Sequence, residues 1–177
     1  MRIRTERLIL RRPETEDPGN LLRLLSDQSF AATVPEIPRT EEKIREYLEV
    51  ERSVTKPEQN KCFNLLLERQ QDNRVIGLTT LVLRRHSQGE IGCALHRDYR
   101  SRGYASEAAC AFMDYAFTEL GLHRIYAETR ADNAASRRVT ERLGMRREAC
   151  FRKMAREDGD WRDVVVYAVL ADEWPTT

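Results

Sequence analysis

Apolar positions recur at helical spacing between residues 103 and 120. Ala105, Ala108, Ala109, Phe112, Met113, Ala116, Phe117 and Leu120 fall on one stripe, and Gly121 supplies a stop. This is the strongest helix signal in the chain. A strand-like run, Glu90 to His96, precedes it and another, Arg124 to Thr129, follows it, so the three predict a β-α-β crossover with parallel strands. Elsewhere the patterns are shorter. Thr5 to Arg12 has strand character, and Asp17-Pro18 gives an N-cap and first-turn pair for a helix with Leu21, Leu22, Leu24 and Leu25 on one face. Pro35 and Pro38 break the chain before a helix that starts at Thr40 and turns Ile44, Tyr47 and Leu48 inward. Cys62 to Arg69 and Arg74 to Leu83 read as two strands joined by the polar turn Gln70-Gln71-Asp72-Asn73. A last helix runs from Asn133 to Leu143 and ends at Gly144. Two strands then complete the pattern, the final one rich in valine on both faces, as in a strand covered from both sides.

Composition narrows the possibilities. A chain of 177 residues with 41% apolar content is about one domain with an ordinary core, and the expected fold class is α/β with a mixed sheet. The longest apolar runs, Leu78 to Leu83 and Val164 to Leu170, fall far short of the roughly 20 residues of a membrane span. Arg2, Arg4, Glu6 and Arg7 interrupt any signal-peptide core, so the expectation is a cytoplasmic protein with no membrane partner. Cysteines 62, 93, 110 and 150 form no C-x-x-C pair and have only three histidines to help build a metal site; they read as reduced, mostly buried thiols. The 30 basic and 29 acidic residues nearly cancel, and no readout motif is present, which argues against a nucleic-acid partner. Basic residues nevertheless concentrate between Arg97 and Arg156, where local charge suits a ligand with several phosphates.

The chemistry points to Arg100-Ser101-Arg102-Gly103-Tyr104-Ala105, followed by Ser106-Glu107-Ala108-Ala109. This segment lies where a strand ends and the strongest helix begins. Gly103 and Ala105 let the backbone approach phosphate oxygens, the helix start adds its positive dipole end, and Arg100 and Arg102 add fixed charge. A pyrophosphate held by a row of backbone N–H groups fits these features.

The surroundings sharpen the reading. Glu90-Ile91-Gly92-Cys93-Ala94-Leu95-His96 lies upstream; Asn133-Ala134-Ala135-Ser136 and the helix ending Arg142-Leu143-Gly144-Met145 lie downstream. In this order and spacing the three elements resemble the GNAT N-acetyltransferases, whose signature is (R/Q)-x-x-G-x-(G/A). Thr5-Glu6-Arg7-Leu8-Ile9-Leu10-Arg11, Asn133-x-x-Ser136, Asp163-Val164-Val165-Val166-Tyr167 and Glu173-Trp174 are similar to the RimJ/RimL-type branch, which acetylates N-terminal amines of ribosomal proteins. The resemblance spans nearly the whole chain. It implies a single N-acetyltransferase domain over residues 1–177, with a mostly antiparallel, splayed central sheet flanked by about four helices. It also implies acetyl-CoA as co-substrate, an amine acceptor that is a protein N-terminus or a small amine, and a monomer or homodimer. Backbone groups near Leu95, His96 and Arg97 would pair with the pantetheine arm. Arg100, Ser101, Arg102, Gly103, Tyr104 and Ala105 would hold the diphosphate, with Asn133, Ser136 and Arg137 also at the cofactor.

An amine attacks a thioester only when unprotonated, so such an enzyme manages a proton, polarises the carbonyl and stabilises the departing thiolate. Ser136 matches the serine that the RimJ/RimL-type branch places beside the sulfur; many other members place a tyrosine four residues later, where this chain has Thr140. Its plain alternative is a first-turn serine bonded to Asn133. Glu90 is the first candidate for the general base, against a solvated carboxylate at a strand start. Glu148 is the second. It stands at the family position Glu-Gly-x-x-Arg, written here Glu148-Ala149-Cys150-Phe151-Arg152, and competes with a structural salt bridge. Cys93 reads as packing, and His96 and His123 as strand-end residues. The segment from Phe30 to Lys61 is expected to shape the acceptor pocket, while its Glu36, Glu41, Glu42, Glu46 and Glu49 suit an exposed helix face. A catalytically silent acyl-CoA sensor is the reading from another class.

Overall fold

The computed structural model describes residues 1–53, 62–157 and 159–175, of which 51–53 by backbone alone. Its elements run β1 (Arg2–Arg4), β2 (Leu8–Arg11), α1 (Pro18–Leu25), α2 (Gln28–Ala31), α3 (Glu41–Ser53), β3 (Cys62–Arg69), β4 (Arg74–Arg84) and β5 (Gln88–Leu95). A single 3-10 turn, Arg97–Tyr99, leads into α4 (Tyr104–Thr118), β6 (Arg124–Arg130), α5 (Ala134–Arg142), β7 (Arg146–Glu157) and β8 (Asp160–Leu170). The eight strands form one mixed sheet in the order β1-β2-β3-β4-β5-β6-β8-β7. The α/β class with a mostly antiparallel mixed sheet is therefore borne out. No helix among the described residues is long and apolar enough to cross a membrane.

The chain divides into two compact units. Residues 1–80 with 93–111 make the first, residues 81–92 with 112–177 the second. In the first unit β1 and β2 form an antiparallel hairpin, and β2 continues antiparallel onto β3. The sequence read Thr5 to Arg12 as one strand; the structure breaks it, because the Thr5 amide donates to the Leu8 carbonyl and the Leu8 amide donates back to the Thr5 hydroxyl, which turns the chain. Leu21 and Leu24 of α1, Phe30 of α2 and Ile44 and Leu48 of α3 pack with Leu66, Val75 and Leu78 in one apolar cluster. Asp17 precedes α1 as expected. Its carboxylate, however, accepts from Arg11 at 2.7 and 2.9 Å and from the Glu14 amide, and does not cap the helix.

Among the described residues five helices stand where about four were expected. The addition is α2, four residues whose single buried apolar side chain, Phe30, gives no periodicity to read. Asp27 starts it by accepting from the Ser29 amide at 3.0 Å.

In the second unit β5 and β6 pair in parallel, as the crossover around α4 predicts. Among the described residues that ladder covers only Gln88–Glu90 against Arg124–Tyr126, whereas β6 pairs with β8 along its full length, Arg124–Arg130 against Val164–Leu170. Val164 through Val169 are all buried, consistent with a strand covered on both faces. β7 is the edge strand and mostly exposed, Phe151 and Met154 included. Trp174 donates its indole N–H to Asp114 of α4 at 2.6 Å and stacks against Phe117.

One expectation is corrected outright. No disulfide joins the four cysteines, but they are not mostly buried: Cys93, Cys110 and Cys150 are exposed and Cys62 is half-buried. On β5 and α4 the residues beside the exposed cysteines, Ala94 and Ala109, are the buried ones, while Cys150 lies on the exposed edge strand β7.

Candidate active site

The turn before α4 is built to leave its backbone open. Ser101 has φ +60 and Gly103 φ +84, so left-handed residues alternate along it and the intervening amides turn outward. Among the described residues the N–H groups of Ser101, Arg102, Gly103, Tyr104, Ala105 and Ser106 donate to no protein acceptor. The first internal bond is from the Glu107 amide to the Gly103 carbonyl at 3.0 Å. A helix start with uncapped amides and no local acceptor is a site for an anion. Gly103 suits this place: its left-handed φ disfavours a side chain, and an added Cβ would stand 3.3 Å from the Arg7 guanidinium, which would have to give by a few tenths of an ångström.

That openness is held from elsewhere in the same unit. Glu107 accepts from the Thr5 hydroxyl at 2.6 Å, the Arg7 amide at 2.8 Å and Arg7 Nε at 2.6 Å. Burial pushes its carboxyl up, but these donors outweigh burial and hold it below the usual range. Arg7 also donates to the Arg102 carbonyl at 3.0 Å and lies over the buried Tyr104 ring. Asp27 does the same on the upstream side. Its carboxylate accepts from the Arg97 amide at 2.7 Å and from Arg100 at 3.4 Å. Burial raises this carboxyl, yet the Ser29 and Arg97 donors hold it at about 2.

The sequence-derived cofactor residues therefore divide by what they offer. Ser101, Arg102, Gly103 and Ala105 present open amides, and Tyr104 presents an amide above a side chain packed inward. Arg100 is committed internally, since Nε donates to the Leu95 carbonyl at 2.9 Å and the guanidinium reaches Asp27. His96 accepts from the Asp98 amide and starts the 3-10 turn, while the Arg97 amide is the one anchored on Asp27. Thr5, Arg7, Glu107 and Asp27 were not singled out for this work. The Thr-Glu-Arg run was visible, but its partner lies about a hundred positions away, and no periodicity links the two.

In the second unit, Asn133 caps α5 by accepting from the Ser136 amide at 3.1 Å. The local bond is thus made by the serine's backbone, and its half-buried hydroxyl donates to no protein group among the described residues. Thr140, at the position of the alternative tyrosine, is buried and donates back to the Arg137 carbonyl at 2.8 Å. Arg137 itself donates to the Ala131 carbonyl at 3.0 Å. Glu90 accepts from Arg84 and, at 3.2 Å, from the Tyr126 hydroxyl. Glu148 is exposed and pairs with Arg124, which also donates to Gln88 at 3.0 Å and lies over the Tyr126 ring. Both sequence-derived bases are therefore salt-bridged. Of the segment expected to shape an acceptor pocket, 30–61, residues 54–61 lie outside the described residues; Glu36, Glu41, Glu42, Glu46 and Glu49 are all exposed.

Comparison with known proteins now bears on the site. A family model described as an acetyltransferase (GNAT) domain matches residues 7–146. The uncharacterized N-acetyltransferase YnaD of Bacillus subtilis is 33% identical over 174 residues, 98% of this chain and 99% of that protein. A crystal structure of a GNAT-family acetyltransferase from Bacillus anthracis is 33% identical with a TM-score of 0.82, covering 98% of this chain and 100% of that one. RimL, a ribosomal-protein α-N-acetyltransferase solved with coenzyme A, superimposes with a TM-score of 0.85 over 98% of this chain and 99% of its own. At 20% identity that likeness is one of fold.

Proposed function

The chain belongs to the GNAT acetyltransferases, and on that footing we propose that residues 1–177 act as one N-acetyltransferase domain whose acceptor is the α-amine of a protein N-terminus. The protein is an acyltransferase, with acetyl-CoA as co-substrate and an amine as acceptor. The observation that carries the reading is the run of amides from Ser101 to Ser106 without internal acceptors, at the start of a helix and beside a glycine with a left-handed backbone. Few ligands use so many parallel donors as well as a diphosphate does. The α-amine acceptor draws on the fold shared with RimL and on the Thr5-Glu6-Arg7 and Asn133-x-x-Ser136 patterns.

Acetyl-CoA supplies an activated thioester, so the chain's own residues need only bind, orient and move protons. The amides of 101–106 take the diphosphate's charge, with Arg7, Glu107 and Asp27 keeping them in place. Ser136, its amide already used for capping and its hydroxyl open, donates a hydrogen bond to the leaving sulfur. A carboxylate on the face of β5 and β6 takes the amine's proton.

The test is thiol release with acetyl-CoA across a panel of peptides and small amines, alongside a thermal shift with CoA. Release with free N-terminal peptides and none with N-terminally blocked ones supports the proposal. Release with small amines alone replaces the acceptor. A CoA-induced shift with no release from any amine makes the protein a sensor.

A further inference from the structure

The acids and the cations of β7 differ in what holds them. Glu148 pairs with Arg124 and Glu157 with Arg130, both on β6, so each acid of the strand already has its counter-charge. Arg146 is matched too, by Glu173 at 3.1 Å. Arg147, Arg152 and Lys153 are exposed, and among the described residues their side chains make no hydrogen bond or ion pair. Arg156 lies over the exposed Trp161 ring at 5.9 Å. The strand therefore carries a surplus of free positive charge.

Register sorts these groups by face. Cross-strand partners project to the same side of a sheet, and neighbours along a strand alternate. Ala149 pairs with Val166, Phe151 with Val164 and Ala155 with Arg162, even positions of β8, so these three share one face. Arg147 pairs with Tyr167 and Arg156 with Trp161, odd positions, so both cations lie on the other. One side of the β7 edge is thus apolar around the exposed Phe151, and the other is basic. β7 is the last strand of the sheet and pairs with β8 alone, so the backbone groups along its far side meet no strand among the described residues.

We propose that the open edge of β7 takes up an extended segment of a partner protein in which acidic and apolar residues alternate. Its apolar side chains lie beside Phe151 and its carboxylates beside Arg147 and Arg156, while main-chain pairing supplies the hold. Charge selects the acidic partner, since any cation brought to this edge meets Arg147, Arg152, Lys153 and Arg156. Shape selects a flexible segment over a second copy. Register shifts between Arg147 and Ala149 and between Phe151 and Ala155 bend the strand, with Lys153 at φ +49. A second copy brings an edge equally bent and equally basic, whereas a peptide follows the bend. Single-stranded RNA fits less well, because Phe151 and Trp161 lie on opposite faces and cannot stack successive bases. The surface lies wholly in the second unit, and the proposal does not rest on the reading of the acceptor.

The probe is a fluorescent ten-residue peptide alternating Glu and Val, N-terminally acetylated so that it offers no α-amine, with binding read by anisotropy. Wild type should bind it, and more weakly as salt rises. Three comparison peptides should each bind about tenfold more weakly or worse: one with Lys for Glu, one with Glu and Val in two separate blocks, and the alternating peptide N-methylated along one edge. Phe151→Ala, and Arg147→Glu combined with Arg156→Glu, should each weaken binding about tenfold, with thermal denaturation as the check on folding. The peptide comparisons use wild type, so they decide the matter even where a variant fails to fold. No binding of the alternating peptide, or equal affinity for the block or N-methylated one, overturns the proposal. So does a uridine oligonucleotide that binds more tightly than the peptide, which makes the edge a nucleic-acid surface. A wild-type dimer in sedimentation that Phe151→Ala dissolves overturns it in favour of a second copy.

Discussion

The starts of α4 and α5 solve the same problem in opposite ways. At α5 the sequence supplies its own cap: Asn133 accepts from the Ser136 amide three positions on, and the helix needs no help from elsewhere. At α4 nothing caps. Six consecutive amides stay open, and order comes from Glu107, Arg7 and Asp27, side chains that take hold of the turn's flanks and leave its donors untouched. A structural helix end satisfies its orphan donors locally, and a ligand-binding one keeps them unsatisfied and is braced from a distance. The difference is visible in which atoms are used, not in which residue types are present.

The strongest way to break the contrast is to fill the open end. Gly103→Glu places a carboxylate among the free amides and forces a side chain into a left-handed backbone, which by itself costs about 1–2 kcal/mol. With like-charge repulsion added, CoA affinity by calorimetry should fall about a hundredfold or more. Unchanged affinity would mean that these amides do not bind the diphosphate. Next comes the hydroxyl that the α5 cap leaves idle. Ser136→Ala should lower kcat by about a hundredfold with CoA affinity and thermal stability nearly unchanged, because the capping bond comes from the residue's backbone. Full activity would make the serine a bystander.

How much of this was legible in the chain follows the same division. The crossover β5-α4-β6, the valine-rich β8 and the cap at Asn133 were readable because each depends on residues a few positions apart. The basic, glycine-containing turn was readable too, as composition. What the sequence hid was the use made of each group. Arg100 looks like charge for a phosphate and is bonded to Asp27 and the Leu95 carbonyl. Glu90 and Glu148 look like free bases and are held by Arg84 and Arg124. Thr5 and Arg7 look like strand residues and brace a helix start about a hundred positions away. Pairings set by tertiary contact leave no periodic trace, so composition pointed to the candidate site while the use of each group stayed hidden.

Removing the braces should loosen the open end without filling it. Glu107→Ala removes the acceptor shared by the Thr5 hydroxyl, the Arg7 amide and Arg7 Nε, and loss of hydrogen bonds to a charged group should destabilise the fold by about 1.5–3 kcal/mol. CoA affinity should drop by about tenfold, less than for Gly103→Glu, since the amides remain. A smaller effect is expected of Asp27, whose folded carboxyl stands at about 2 against about 3.9 unfolded. A depressed folded value means that the stabilisation is complete above the unfolded value and fades as pH falls toward the folded one. The melting temperature of wild type should therefore decline across that acid window more steeply than that of Asp27→Asn. Parallel curves would remove Asp27 from the bracing network.

The smallest effect is predicted where the helix looks after itself. Asn133→Ala removes the side-chain acceptor of the Ser136 amide, and such losses cost about 1 kcal/mol. Chemical denaturation should show that change, and Asn133→Asp or Asn133→Ser should restore most of it, since either side chain can accept from the Ser136 amide. CoA affinity should not move beyond twofold or so, because the open donors belong to α4 and not to α5. If Asn133→Ala instead weakened CoA binding as much as Glu107→Ala, the cap would be part of the binding surface, and the two helix starts would no longer stand as one for structure and one for ligand.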